Sequence, residues 1–219
     1  MDPEALQAHG RLFFRFRRFL GSCSATVVST PRRNVVVTAA HCLYDPLSGT
    51  VSRHVVFVPA YDDGERPFGS FAARSTAVLG PWARRANTNF DVGAVVLRAG
   101  PQGHVGDVVG ASGWATGLSR SRSFDIFGYP AGALLGRHLR QCASRAFRGD
   151  RTSYRIPGPP TMRAFCDMAR GASGGGWVTT EGGESYVNGV TSYRLPDKFG
   201  VIFSPYFGQA VSRLIRTAR

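Results

Sequence analysis

Three short segments carry side chains that together would make an activated nucleophile. His41 lies in Thr38-Ala39-Ala40-His41-Cys42, Asp91 opens the run DVGAVVL, and Ser173 sits in Gly171-Ala172-Ser173-Gly174-Gly175-Gly176. A serine hydroxyl is a weak nucleophile until a neighbouring imidazole takes its proton. The imidazole needs a carboxylate in turn, which fixes its tautomer and stabilises the imidazolium. Glycines beside Ser173 let a substrate backbone come close. The N–H groups of Gly171 and Ser173, aimed at one point, would stabilise an oxyanion by about 3 kcal/mol per donor. This is acyl transfer, and it requires neither metal nor cofactor. Each segment alone also has an ordinary reading, as a Gly-Ser loop, a structural histidine or a strand-start aspartate; all three in this order point to catalysis.

The elements that must position these groups read as β-strands. The chain has 219 residues, 43% hydrophobic and 19% charged, enough for a core and too little charge for disorder. Its 27 Gly and 13 Pro exclude a long coiled coil and favour many short strands. Runs such as SATVVST, NVVVTAA, RHVVFVPA, SFDIFGYP and SYVNGVTSY, each bounded by turn formers, predict an all-β sandwich or barrel. Phe14 and Phe16 alternate with Arg15 and Arg17 until Arg18 and Phe19 break the register. The glycine-rich stretch 99–113 reads as a connector between halves. Only FGQAVSRLIRTAR looks helical, with Val211, Leu214 and Ile215 on one stripe.

The ionic balance is 27 Lys+Arg against 14 Asp+Glu, a net charge of +13, and Lys198 is the one lysine. Arginine at this density either attracts polyanions or reflects a compositional drift on a solvated surface, and its spread along the chain favours the second; weak polyanion binding thus stands as a secondary expectation beside peptide or protein substrates. No recognition motif for nucleic acid accompanies the arginines. No stretch approaches the length of a membrane span, and MDPEALQAHG lacks the pattern of a secretory signal. His9, His54, His104 and His138 show no metal-ligand spacing, and Asp62-Asp63-Gly64-Glu65 reads as a hairpin turn rather than a calcium loop. The four cysteines, Cys23, Cys42, Cys142 and Cys166, include no CxxC pair. Two disulfides in an oxidising compartment are expected, with three connectivities open.

TAAHC, DVGAVVL and GASGGGW resemble the three active-site blocks of chymotrypsin-like serine peptidases. The flanking CSATVVST, FGYPAG, CDMARGASGGGW, NGVTSY and FSPYFG are similar to the secreted bacterial and fungal branch that includes glutamyl endopeptidases, over residues 10–210 or so. The resemblance implies a secreted, monomeric serine endopeptidase made of two packed six-stranded antiparallel β-barrels with a terminal helix. Its expected divisions are a tail over 1–10, a first barrel over 11–112 holding His41 and Asp91, a second over 113–205 holding Ser173, and the helix over 206–219. It also implies the disulfides Cys23–Cys42 and Cys142–Cys166.

Departures from the pattern bear on selectivity. Ala172 stands where digestive members carry an aspartate, so activation by a freshly cut N-terminus is not expected. Thr191 replaces the histidine of glutamate-selecting enzymes, and Asp167 lies where a trypsin-like aspartate would select basic residues. Ser192, Tyr193 and Arg194 are expected to pair with the substrate backbone as an added strand, with Ser192 bonded to the Asp91 carboxylate and Arg194 drawing an acidic side chain two or three residues before the cut. The rival reading is a catalytically silent double barrel that binds polyanions through its arginines.

Overall fold

The computed structural model describes residues 6–131, 135–168 and 170–218. The first five residues of the expected tail, the Gly132 end of FGYPAG and Ala169 of CDMARGASGGGW lie outside the described residues. The tail's last two positions, His9 and Gly10, already belong to the first strand.

The first half is a closed barrel of β1 (His9–Phe16), β2 (Phe19–Val28), β3 (Val35–Thr38), β4 (Arg53–Pro59), β5 (Phe71–Val78) and β6 (Gly93–Leu97), joined in the order β1-β2-β3-β6-β5-β4. The break at Arg18 and Phe19 is a tight hairpin: Phe16 faces Phe19, Arg15 faces Leu20, and Arg17 takes a φ of 49°. The unbroken valine runs of β3 and β6 follow from burial on both faces. Val36, Val95 and Leu97 fill the barrel with Leu12, Phe57 and Phe71. Val35, Val37, Ala94 and Val96 face outward into a second cluster shared with Phe127, Val178 and Val190 of the other half.

The second half holds β7 (Gly113–Trp114), β8 (Ser123–Gly128), β9 (Arg140–Arg145), β10 (Phe147–Arg148), β11 (Met162–Phe165), β12 (Gly176–Glu181), β13 (Glu184–Val190) and β14 (Val201–Ser204). They form a five-stranded sheet, β9-β8-β12-β13-β7, and a three-stranded sheet, β10-β11-β14. Phe124, Ile126, Met162, Trp177 and Ile202 pack between them.

The short helices ahead of the terminal one include α1 (Gly80–Arg85), α2 (Val105–Val109) and α3 (Arg151–Arg155). At five or six residues they are too short to show a helical period, so the sequence presents them as loops. The terminal helix, α4 (Gln209–Thr217), buries Val211, Leu214 and Ile215 in the cluster between the halves, on the stripe that its spacing predicts. Among the described residues no helix is long and apolar enough to cross a membrane. Asp62 and Glu65 pair across a tight turn, as the hairpin reading expects. Both disulfides take the pairing the resemblance implies: Cys23–Cys42 ties β2 to the turn carrying His41, and Cys142–Cys166 ties β9 to the end of β11.

His9, 2% exposed, stacks on Phe127 at 4.0 Å between ring centres and bonds Thr26 Oγ1 through Nδ1 at 2.9 Å. Burial pushes its pKa down to about 3. Between that value and its ordinary 6.5, the unfolded chain holds a proton that the folded protein does not. Stability is therefore expected to fall as pH drops below 6.5, by about 1.4 kcal/mol per pH unit from this one group. Denaturant unfolding of His9→Gln at pH 7 and pH 4.5 should show a shallower loss than the parent, and equal losses would contradict the assignment.

Candidate active site

The Asp91 carboxylate is the most constrained group of the site. Asp91 follows the 3-10 turn Thr88–Phe90 and is 2% exposed. Its Oδ1 accepts the backbone N–H of His41 at 2.8 Å. Its Oδ2 lies 2.8 Å from His41 Nδ1 and accepts the Ser192 hydroxyl at 2.6 Å. Burial alone would raise the Asp91 pKa, but the charge of His41 and the bonds from its ring, from Ser192 and from the His41 backbone hold it below the ordinary carboxylate value.

His41 sits in the 3-10 turn Ala40–Cys42, fixed by the disulfide at Cys42 and by its own N–H to Asp91. Its side chain stays 34% exposed, with the Trp82 ring 6.3 Å away between ring centres. Burial lowers its pKa and the Asp91 charge and hydrogen bond raise it; the carboxylate wins, and the net shift is upward. With Nδ1 donating to Asp91, the tautomer leaves Nε2 as the proton acceptor.

Ser173 arrives on a loop bound to the first barrel by its backbone. The Ser24 N–H donates to the Ser173 carbonyl at 2.7 Å, and the Gly174 N–H to the Thr191 carbonyl at 2.6 Å. Gly174 packs so tightly on Thr38 and Ala39 that a Cβ there would lie 2.0 Å from Thr38 Oγ1 and 2.8 Å from the Ala39 nitrogen. The loop is thus seated two residues from His41. Among the described residues no hydrogen bond joins Ser173 Oγ to the ring, the one triad contact that commonly tightens only when substrate binds. Gly171 has φ +92°, and a Cβ there would lie 2.5 Å from the Tyr129 carbonyl, so only glycine fits. The N–H groups of Gly171 and Ser173 have no acceptor among the described residues, as two oxyanion donors require.

Sequence reasoning passed over Ser24, which holds this arrangement together. It is 1% exposed; its hydroxyl donates to the Gly171 carbonyl at 2.9 Å and accepts the Tyr129 N–H at 2.8 Å, while its carbonyl accepts Thr38 Oγ1 at 2.8 Å. The serine alone gives no signal, because the partners of its hydroxyl, Gly171 and Tyr129, lie 147 and 105 residues away. Trp82 gives none either, since its partner, the Tyr44 carbonyl, belongs to a separate segment 38 residues earlier. Ser24→Ala is expected to lower kcat about 10- to 100-fold with little change in KM, since it loosens the oxyanion donors without touching substrate. Steady-state kinetics check it, and an unchanged kcat would contradict it.

Beside Ser173 lies a pocket of about 400 Å³ lined by Met168, Arg170, Thr191, Ser192, Tyr193 and Arg194, among others. Asp167 is exposed and outside this lining; the buried Met168 occupies the wall instead. The Thr191 hydroxyl is taken by Trp177 Nε1 at 3.0 Å. Tyr193 stacks on Phe203 and donates its hydroxyl to Asp150 at 2.5 Å. Arg194 reaches across to the Met168 carbonyl at 3.3 Å, while its own backbone N–H and C=O have no partner among the described residues. Among the described residues the pocket lining therefore carries two guanidinium groups and no carboxylate. Among the described residues Cys23, His41 and Cys42 bring donor atoms close enough for a metal, but both sulfurs are committed to the disulfide, so this set does not fit one.

A family model described as Trypsin matches residues 9–214. A thermostable serine protease, AL20, from an extremophilic microorganism has a solved structure with a TM-score of 0.89 at 32% identity, the match covering 99% of this chain and 98% of that one. Among curated proteins, an extracellular metalloprotease of Bacillus subtilis is 27% identical over 163 residues, 70% of this chain and 50% of its own. A glutamyl endopeptidase of Bacillus licheniformis is 29% identical over 119 residues, 53% of this chain and 35% of its own. The chain spans half or less of the length of these two curated relatives.

Proposed function

The chain belongs to the trypsin family, and from that premise we propose that it is a secreted serine endopeptidase working through His41, Asp91 and Ser173. Ser173 Oγ attacks the scissile carbonyl while His41 Nε2 takes its proton. The Gly171 and Ser173 N–H groups hold the oxyanion as the tetrahedral intermediate forms. His41 then protonates the leaving amine, and water repeats the sequence on the acyl-enzyme. The observation that carries this reading is the convergence on Asp91 of the His41 ring, the His41 backbone and Ser192, next to a loop with two unpaired N–H donors. A binder relieved of catalysis has no physical need of that set. Disulfides persist in oxidising compartments, which supports secretion. The barrel carrying His41 and Asp91 and the half carrying Ser173 act as two lobes of a single working unit, a monomer.

For substrate, the two arginines of the pocket favour acidic side chains and disfavour basic ones. The substrate backbone adds as a strand along Arg194, whose N–H and C=O are available for it. Cleavage of a peptide library is expected to favour Asp or Glu over Lys or Arg within the three residues before the cut. Arg194→Gln should shrink the acid-to-neutral ratio about three- to tenfold, a modest effect because the guanidinium is exposed. A preference for basic residues, or an unchanged ratio in the variant, would overturn this selectivity.

A further inference from the structure

Asp91 is held from two sides, and the two sides are joined to each other. On one side Ser192 donates to its Oδ2 at 2.6 Å, and the next residue, Tyr193, leads into the stretch at Arg194 that takes the substrate backbone. On the other side Asp91 follows the 3-10 turn Thr88–Phe90, whose side chains reach out of the first half into the second.

Buried amides make that reach. Asn89, 1% exposed, donates through Nδ2 to the Ser153 carbonyl at 2.8 Å. Asn87 donates through Nδ2 to the Pro157 carbonyl at 2.8 Å, and its Oδ1 accepts the Asn89 N–H at 3.0 Å. Phe90, directly before Asp91, lies against Gly158, where φ is +106° and a Cβ would come 2.2 Å from the Phe90 ring. Only glycine fits there.

The segment that receives these contacts also holds the strand on the substrate side. Asp150, just ahead of α3, accepts the Ser153 N–H on Oδ1 at 2.7 Å and the Tyr193 hydroxyl on Oδ2 at 2.5 Å. Thr161 Oγ1 lies 3.1 Å from the same hydroxyl. Gly149 donates its N–H to the Thr161 carbonyl at 2.9 Å, and a Cβ on Gly149 would come 2.2 Å from Thr161 Oγ1. The path therefore closes, from Asp91 through Asn89, Ser153, Asp150, Tyr193 and Ser192 back to Asp91, with each hydrogen bond in it between 2.5 and 2.8 Å. A hydroxyl bonded to a carboxylate is among the stronger links available. A displacement of about 1 Å at a catalytic group can cost about 100-fold in rate, so a closed path that fixes Asp91 relative to the substrate strand has a direct catalytic use.

We propose that residues 149–158 form a brace that sets the distance between the Asp91 carboxylate and the substrate-pairing strand, with Asn89, Asp150 and Tyr193 as positioning residues. The proposal rests on the triad reading and adds to it a link between the halves. Asn89 lies outside the pocket lining and bonds to the brace, not to Tyr193, so coupling between those two positions has to pass through Ser153 and Asp150.

Steady-state kinetics on an extended peptide amide and on a small ester, normalised by active-site titration, test it with Asn89→Ala, Tyr193→Phe and the double variant. The ester needs the triad but not the strand. Tyr193→Phe keeps a ring to stack on Phe203 and removes the hydroxyl alone. It should lower the ester kcat about three- to tenfold, the effect of one hydrogen bond transmitted through Ser192 to Asp91. Asn89→Ala should lower kcat by a similar factor and also raise the peptide KM about threefold, although it stands apart from the pocket. The double variant should lose no more than the worse single, because either change opens the same path. Asp150→Ala should reproduce the double, and Asp150→Asn should stay within about twofold of the parent, since its amide keeps an acceptor for the Ser153 N–H and a donor for the tyrosine oxygen. Losses that multiply in the double variant, or variants altered only in unfolding midpoint, would reduce these bonds to a structural role and overturn the proposal. Should Asn89→Ala not fold, the ester kcat of Tyr193→Phe decides alone, and an unchanged value overturns the brace. A parent that hydrolyses neither substrate would overturn the triad reading and the brace together, whereas a parent active on both with multiplying losses overturns the brace alone.

Discussion

Ser173→Ala is expected to lower kcat roughly a million-fold while leaving the affinity for a peptide inhibitor within a few-fold of the parent. The size follows from the geometry. Removing the nucleophile idles His41 and Asp91 as well, because their positioning serves only a hydroxyl on that loop. What survives is the contribution of the oxyanion donors and of substrate binding, about 10³–10⁴ over the uncatalysed reaction. Affinity survives because the pocket walls, Met168, Arg170 and Arg194, do not depend on the Ser173 hydroxyl. Active-site titration and equilibrium binding on one preparation separate the two effects. A variant that keeps even a hundredth of parental turnover would remove Ser173 from the mechanism.

Asp91→Asn should cost about 10⁴ in kcat with the fold preserved. The carboxylate accepts at both oxygens, from the His41 backbone N–H at one and from the ring and Ser192 at the other. An amide keeps one acceptor, which the backbone N–H claims, and turns its NH₂ toward His41 Nδ1. The ring must then carry its proton on Nε2, where it can no longer accept one from Ser173. The same substitution removes the charge that raises the His41 pKa, so that pKa should drop. Steady-state kinetics together with the NMR titration of the His41 ring check both parts. A loss under tenfold, or a ring pKa that stays raised, would contradict the assigned role.

How much of this was written in the chain depends on range. The two-faced burial of β3 and β6 is legible because a valine run without alternation is itself the signal of a strand covered on both sides. The stripe of Val211, Leu214 and Ile215 is legible because nine residues suffice to show a period. His41, Asp91 and Ser173 stand out by their order along the chain, and Ser192 by the resemblance; the structure hydrogen-bonds His41 and Ser192 to Asp91 and sets Ser173 in the pocket wall beside Ser192. Ser24 and Trp82 do not stand out, since a buried serine looks ordinary until the halves close on one another, and a tryptophan in a turn-rich segment looks ordinary until the first half folds it against the His41 turn. Asp167 shows the opposite failure: its place in the sequence suggested a pocket floor, yet its side chain is exposed and Met168 takes the wall. One residue of register separates those outcomes, and spacing alone does not resolve it.

Covalent labelling puts the central claim to its most direct trial. The native protein treated with a fluorophosphonate and mapped by mass spectrometry should carry one adduct, on Ser173, with a labelling rate that falls as pH drops through a value above 6.5, where His41 gains its proton. A folded protein that takes up no label, or an adduct on a residue other than Ser173, would contradict the account.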